Sequence, residues 1–212
     1  ISATAGGTIN LAGLTTVSVT PGQDDVLTFL TSGGGTINLQ NLQNINPSKV
    51  GNTAELVRFQ VEQATPFNLP SLQIARRTEF DLSGGAVINA NNLTDIEDSV
   101  LKVRNGTSFN SGNLSAINNA RISVEGLNAT FDRVSATSYS TTWNDHDTFF
   151  SAAGAGASLN LSTLQSLTYG PTAGRYFKTI SATTGGAINL SGLTSVSVSS
   201  GQDDLLDFRA ET

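Results

Sequence analysis

The sequence predicts an all-β chain: a parallel β-solenoid of about eight coils, triangular in cross-section, with variable loops at one corner. Three observations carry this reading. Residues 1–29 and 180–208 are identical at 21 of 29 positions. Between them a shorter core, I-N-L-x-x-L-x-x-V, recurs with drift at Ile9, Ile37, Phe67, Ile88, Phe109, Phe131, Leu159 and Ile188, in steps of 28, 30, 21, 21, 22, 28 and 29 residues. Each unit also holds short apolar-polar-apolar stretches. A fixed period of this size marks an array in which every unit buries its apolar face against its neighbours.

Within the first unit, Ile9 and Leu11 flank Asn10, Val17 and Val19 flank Ser18, and Leu27 and Phe29 flank Thr28. Period-two alternation is the signature of half-buried strands. Gly6-Gly7, Gly13 and Pro21-Gly22 separate the stretches, and glycines recur at matching places at Gly34-Gly35, Gly84-Gly85, Gly185-Gly186 and Gly201. Gly and Pro at these points mark turns. Three strands and three corners per unit make a triangular coil. Leu11, Leu14, Val17, Leu27 and Phe29, with their repeats Leu190, Leu193, Val196, Leu206 and Phe208, form the expected core. A leucine-rich-repeat horseshoe is disfavoured because the residues after Val17, Val100 and Ile122 alternate again, where a horseshoe needs a helical or extended return segment. Residues 1–212 read as one solenoid segment excised from a longer array, since neither end carries a polar, atypical capping unit.

Composition restricts the function classes. Charged residues are 13% of the chain, while 38% are apolar at regular spacings, so the sequence is not of the disordered class. With no Cys there is no disulfide or thiolate chemistry, and a single His excludes multi-histidine zinc sites. The net charge of −6 speaks against nucleic-acid partners and anionic membrane surfaces. No apolar run reaches the roughly 20 residues that a membrane helix needs, so no membrane insertion is expected.

Two columns of residues repeat along the array. Asn10, Asn38, Asn68, Asn89, Asn110, Asn160 and Asn189, with Asp132 in the sixth unit, follow the first core residue of each unit. Asparagine amides stacked in register donate and accept along the stack, so this column is read as a structural ladder. Thr28, Arg58, Asp81, Lys102, Ser123 and Asp207 form the second column, with alternating charge on the outer face of the third stretch. Such exposed pairs favour register more than stability.

The length differences fall at one corner. Long units insert 21–25, 47–55, 141–147, 170–175 and 199–204 where the short ones pass directly between strands. Insertions at one solenoid corner line up along one edge, a common place for recognition. The candidate binding residues are Trp143, Asn144, Asp145, His146 and Asp147, joined from the next insertion by Tyr169, Arg175 and Tyr176. Trp143 offers a flat apolar face and the neighbouring amide and carboxylates offer acceptors, a combination suited to a sugar ring. Asp24, Asp25, Asp203 and Asp204 are candidate Ca²⁺ ligands, although six to eight oxygens are needed and each loop supplies two or three. No other cofactor is implied, and no catalytic constellation is recognisable around the lone His146.

The Gly-Gly-x-Ile-Asn-Leu cores, the asparagine ladder and the absence of Cys together resemble the β-solenoid repeats of large bacterial secreted and cell-surface proteins of the filamentous-haemagglutinin kind. That resemblance implies a structural or adhesive repeat segment outside the cell, a stiff spacer with a recognition edge. Its implied partners are neighbouring repeats of the same parent chain and cell-surface glycans or other surface proteins. The alternatives are a carbohydrate-binding module using the Trp143 loop and a β-helix polysaccharide-degrading enzyme. The enzyme would need carboxylates gathered in one cleft, and the charges here are scattered, so no enzymatic activity is expected.

Overall fold

The computed structural model describes all residues except 20–24, 48, 51–52, 55, 143–146, 171–175 and 199–204. It is a parallel β-solenoid, and the described residues include no helix. One wall is continuous. Nine strands, Ser2–Ala3, Val26–Thr31, Leu56–Val61, Thr78–Leu82, Val100–Arg104, Arg121–Glu125, Asp147–Ala153, Phe177–Thr183 and Leu205–Glu211, pair in chain order along its whole length. Every pairing in this long wall is parallel.

The other two walls are interrupted. The asparagine wall falls into three sheets: Thr8–Asn10 with Thr36–Asn38; Phe67–Asn68, Val87–Ala90 and Ser108–Ser111; and Thr130–Phe131, Ser158–Asn160 and Ala187–Asn189. On the third wall, strands occur at Thr16–Val17, Asn44–Ile45 and Ile74–Ala75, and again at Ser138–Thr141, Ser166–Tyr169 and Ser195–Val198. The units starting at Ile88 and Phe109 have only isolated bridges there, through Asp95 and Ala116. About six turns therefore carry a strand on every wall, a correction to the eight full coils expected. The equally short unit starting at Phe67 keeps a strand at Ile74–Ala75, so the difference lies in residue type: Asp95 and Ala116, level with Ile74, are poor strand formers.

The core is a column of stacked rings and branched aliphatics. Phe29, Phe59 and Phe80 are fully buried and stack nearly parallel at centroid distances of 5.1 and 5.4 Å. Phe109 meets Phe80 edge-on at 4.8 Å and Phe131 at 6.3 Å. Parallel, in-register strands place equivalent residues directly above one another, so a repeated Phe becomes a ring stack. In the sixth unit a register shift between Thr148 and Phe150 turns both Phe149 and Phe150 inward, where they pack on Tyr139. The Tyr139 hydroxyl donates to the Ala120 carbonyl at 3.0 Å, which satisfies that buried phenol.

Burial falls off at the last unit. Val196 and Phe208, expected in the core, are 48% and 49% exposed, as are Leu205 and Val198 at 48% and 41%. No further coil lies against that end in the structure, so side chains that are covered in the middle of the stack face outward there.

Candidate functional site

The insertion corner joins the third wall to the long wall, and its tight form shows how it is built. In the short units the chain turns through Arg76-Arg77, Glu97-Asp98 and Asn118-Asn119, with Arg77, Asp98 and Asn119 at φ of 48°, 58° and 56°. Asn and Asp tolerate this left-handed conformation better than most residues. The three stacked positions also bond one another: Asn119 Nδ2 donates to Asp98 Oδ1 at 2.9 Å, and Arg77 lies 3.6 Å from Asp98. A neighbouring row repeats the pattern, with Arg76 on Asp95 at 2.7 Å and on Glu97 at 2.9 Å, and Asn118 Nδ2 on Glu97 Oε1 at 3.1 Å. These pairs hold the Arg76 guanidinium pKa above its ordinary value, first through the hydrogen bond to Asp95. Sequence periodicity missed both rows, because they lie in the turn and outside the alternating stretches.

The long form of this corner holds most of the predicted recognition residues in its sequence, and only some of them are described. Trp143, Asn144, Asp145, His146 and Arg175 lie outside the described residues, as do Asp24, Asp203 and Asp204. Asp147 is described, and its carboxylate is engaged: Oδ2 meets Arg121 Nε at 2.7 Å and Oδ1 accepts from the Thr148 amide at 2.7 Å. Tyr176 is half-buried. Tyr169 corrects the expectation of a surface contributor. Its side chain is fully buried and its hydroxyl donates to the Tyr176 carbonyl at 3.3 Å, so it props the corner from inside. At its place in the alternation, Tyr169 is level with Thr141 and Val198. Lys178, which the sequence did not single out, is 1% exposed and level with Asp147 at the base of the corner. Asp25 is exposed, and the described residues contain no group of three or more metal-ligating side chains.

The charged column of the long wall is real but differs in register from the sequence reading. Arg58 is level with Glu79, while Asp81 is level with Gln60 and Lys102. Asp207 is level with Thr179, outside this column. A slip of two residues leaves inward and outward faces unchanged, so alternation cannot reveal it. Glu79, 8% exposed, receives Arg58 Nε at 2.6 Å and Lys102 Nζ at 2.7 Å. Asp81 pairs with Arg104, which also lies 3.6 Å from Glu125. A shallow depression of about 350 Å³ on this wall is lined by Glu79, Lys102, Arg121, Ser123, Asp147 and Ser151.

Burial opposes ionisation of Glu79, but the hydrogen bonds from Lys102 and Arg58 outweigh it and hold the carboxyl below its ordinary value. A depressed folded-state value stabilises the fold above the ordinary carboxylate range, and this contribution drains as pH falls through that range. Glu79→Gln is expected to cost about 1–2 kcal/mol at pH 7, less than a fully buried pair because both cations are one-third exposed. In urea unfolding measured from pH 6 to pH 3, the gap between the two proteins should close toward the acid end. A gap independent of pH would refute the assignment.

The asparagine column forms bonded rungs in two places. Asn38 Nδ2 donates to Asn10 Oδ1 at 3.1 Å, and Asn110 donates to Asn89 and Asn89 to Asn68, each at 2.8 Å. Asn160 and Asn189 are level with one another. Asn10, Asn38, Asn160 and Asn189 have a second use: each Oδ1 accepts from the amide two residues on, at 3.1–3.2 Å, closing the turn that follows. Asp132 is exposed and pairs with Arg133 at 3.5 Å. Asn89→Ala removes two side-chain bonds and should lower stability by about 1–2 kcal/mol in chemical denaturation; no loss would show the rungs to be passive.

Comparison with known proteins finds no matching family model, no matching curated sequence and no matching solved structure.

Proposed function

We propose that the chain is a structural and adhesive repeat segment of an extracellular bacterial surface protein, a stiff spacer whose inserted loops form a recognition edge. The observation that carries this reading is the division of labour in the fold. One parallel wall runs unbroken through nine strands, while the long insertions fall at a single corner. The resemblance to filamentous-haemagglutinin-type repeats supports the extracellular setting, and the partners it suggests are neighbouring repeats of the same parent chain together with glycans or proteins of a cell surface. Calcium held by the aspartates of the loops is included in the same proposal.

Trp143 is the only tryptophan, so its fluorescence reports on this edge alone. Titration with glycans or Ca²⁺ is expected to change that emission, and Trp143→Ala to reduce attachment of the chain to cell surfaces. Flat emission together with unchanged attachment would leave a spacer without an adhesive edge.

The reading includes no turnover. Its support is that Glu79, Asp81 and Asp147 are each taken up in ion pairs with Arg or Lys on the long wall. A reducing-sugar screen across polysaccharides should show no product. Release of sugar that is lost in Asp81→Asn or Asp132→Asn would overturn it in favour of a degrading enzyme.

A further inference from the structure

The bonded run Asn110 to Asn89 to Asn68 has a direction, and each of its ends faces a cleft. Both bonds run the same way: Asn110 donates to Asn89 and Asn89 to Asn68, each toward the start of the chain. At the first end Asn68 Nδ2 has no acceptor among the described residues, because the column breaks between Asn38 and Asn68, whose strands are not paired. At the other end Asn110 Oδ1 has no donor among them, because the next residue of the column is Asp132, itself an acceptor. Amides linked in a chain polarise one another, which strengthens the terminal donor and the terminal acceptor.

Both interruptions have a covalent cause. Phe67–Asn68 is flanked by Pro66 and Pro70, which lack the N–H needed to continue pairing toward Thr36–Asn38. The corner before Thr130–Phe131 has one residue more than the corner before Ser108–Ser111. Val103 and Val124 are level, yet Phe109 lies six positions after Val103 and Phe131 seven positions after Val124. The resulting clefts measure about 380 Å³, lined by Asn38, Gln40, Gln63, Pro66, Asn68 and Pro70, and about 540 Å³, lined by Asn110, Leu127, Asn128, Thr130, Asp132 and Arg133. Both are open, shallow grooves, a shape suited to a chain lying along the surface.

We propose that these two clefts bind a neutral, hydroxyl-rich chain, a glycan laid along the asparagine wall. A hydroxyl both donates and accepts, so the same ligand chemistry satisfies the free donor of Asn68 and the free acceptor of Asn110. Asn110 Oδ1 and the Asp132 oxygen not turned to Arg133 present two acceptors to one cleft, an arrangement that a vicinal diol answers with two donors. Leu127, 58% exposed at its rim, offers an apolar surface to the C–H face of a sugar ring. The strand residues facing outward on this wall, Thr8, Asn10, Thr36, Asn38, Ser108 and Thr130 among them, are uncharged, and the ion pair of Asp132 with Arg133 beside them carries no net charge. This wall therefore has little to attract a polyelectrolyte. The clefts are three units apart, on the order of 14 Å at ~4.8 Å per unit, so one oligosaccharide spans both and gains from double engagement. The site goes beyond the corner reading, since it lies on the asparagine wall and the corner lies between the third wall and the long wall.

The test is affinity electrophoresis of the whole chain in gels containing soluble mannan, xyloglucan, dextran or mixed-linkage β-glucan. Retardation by at least one of these neutral polymers is expected. Asp132→Asn supplies a donor to Asn110 and removes the acceptor pair; it should weaken that retardation about tenfold, the effect of one or two lost hydrogen bonds. Leu127→Ala should weaken it too, Trp143→Ala should not, and all three variants should keep the parent circular dichroism and unfolding midpoint. No retardation by any of the four polymers would overturn the proposal. So would retardation unchanged in both Asp132→Asn and Leu127→Ala, or retardation abolished by Trp143→Ala.

Discussion

Phe59→Ala is expected to destabilise the chain by about 3–5 kcal/mol, one of the largest effects available to a single substitution here. The ring is fully buried, stacked between Phe29 and Phe80 and touched edge-on by Phe67 at 5.6 Å. Its removal takes away both the transferred apolar area and the contacts of three neighbouring rings. Parallel strands held by continuous hydrogen bonding above and below cannot close over the void, so the cavity cost is retained. Urea unfolding followed by far-UV circular dichroism measures it. A loss under about 1 kcal/mol would mean that the ring column is not a packed core, while Phe59→Leu, which fills most of the volume, should cost less than half as much.

Gly35→Ala should be comparably severe for a different reason. A Cβ at Gly35 would stand 2.1 Å from the Ala3 carbonyl oxygen of the coil beneath, and the contact is with backbone, which has no rotamer to change. The coils must separate there, at a cost of about 3 kcal/mol, the upper end of the range for overpacking. Gly7 supplies the control. It occupies the same place one unit earlier, before Thr8 as Gly35 is before Thr36, and a Cβ there would come no nearer than 3.1 Å to the Thr4 oxygen of its own turn. Gly7→Ala should cost under about 1 kcal/mol. Equal losses in the two variants would show that the glycine is needed for turn conformation and not for close approach of neighbouring coils.

That pair of glycines illustrates what was legible in the sequence. Gly-Gly before Ile-Asn-Leu identified the turn, and alternation identified which of Val57, Arg58, Phe59 and Gln60 face inward, because both signals are local. Neither signal contains the position of one coil over the next. The level pairing of Arg58 with Glu79 in place of Asp81 depends on how many residues the tight turn at Arg77 consumes, and a two-residue slip preserves parity. Tyr169 reads as a surface residue because it borders an insertion, whereas its position in the Ser166–Tyr169 strand turns it inward. The breaks in the asparagine column were present in the sequence as Pro66, Pro70 and one extra corner residue, but a column recognised by its repeat hides an interruption of one amide. The corner loops were legible only as insertions, and their chemistry rests on the identity of Trp143 and its neighbours.

The continuous long wall also has a mechanical meaning. Its hydrogen bonds run along the stacking direction, so tension applied between the first and last residues loads them in opening and not in shear. Bonds loaded in this way break row by row, and a chain held at both ends should lengthen in discrete increments, each the slack of one unit. With units of 21 to 30 residues and roughly 3.3–3.6 Å of contour per residue, the increments fall between about 7 and 11 nm. The short units starting at Phe67, Ile88 and Phe109 should give the smallest. A molecule of this kind yields gradually under load and re-forms coil by coil on release, behaving as an extensible tether with a built-in length scale.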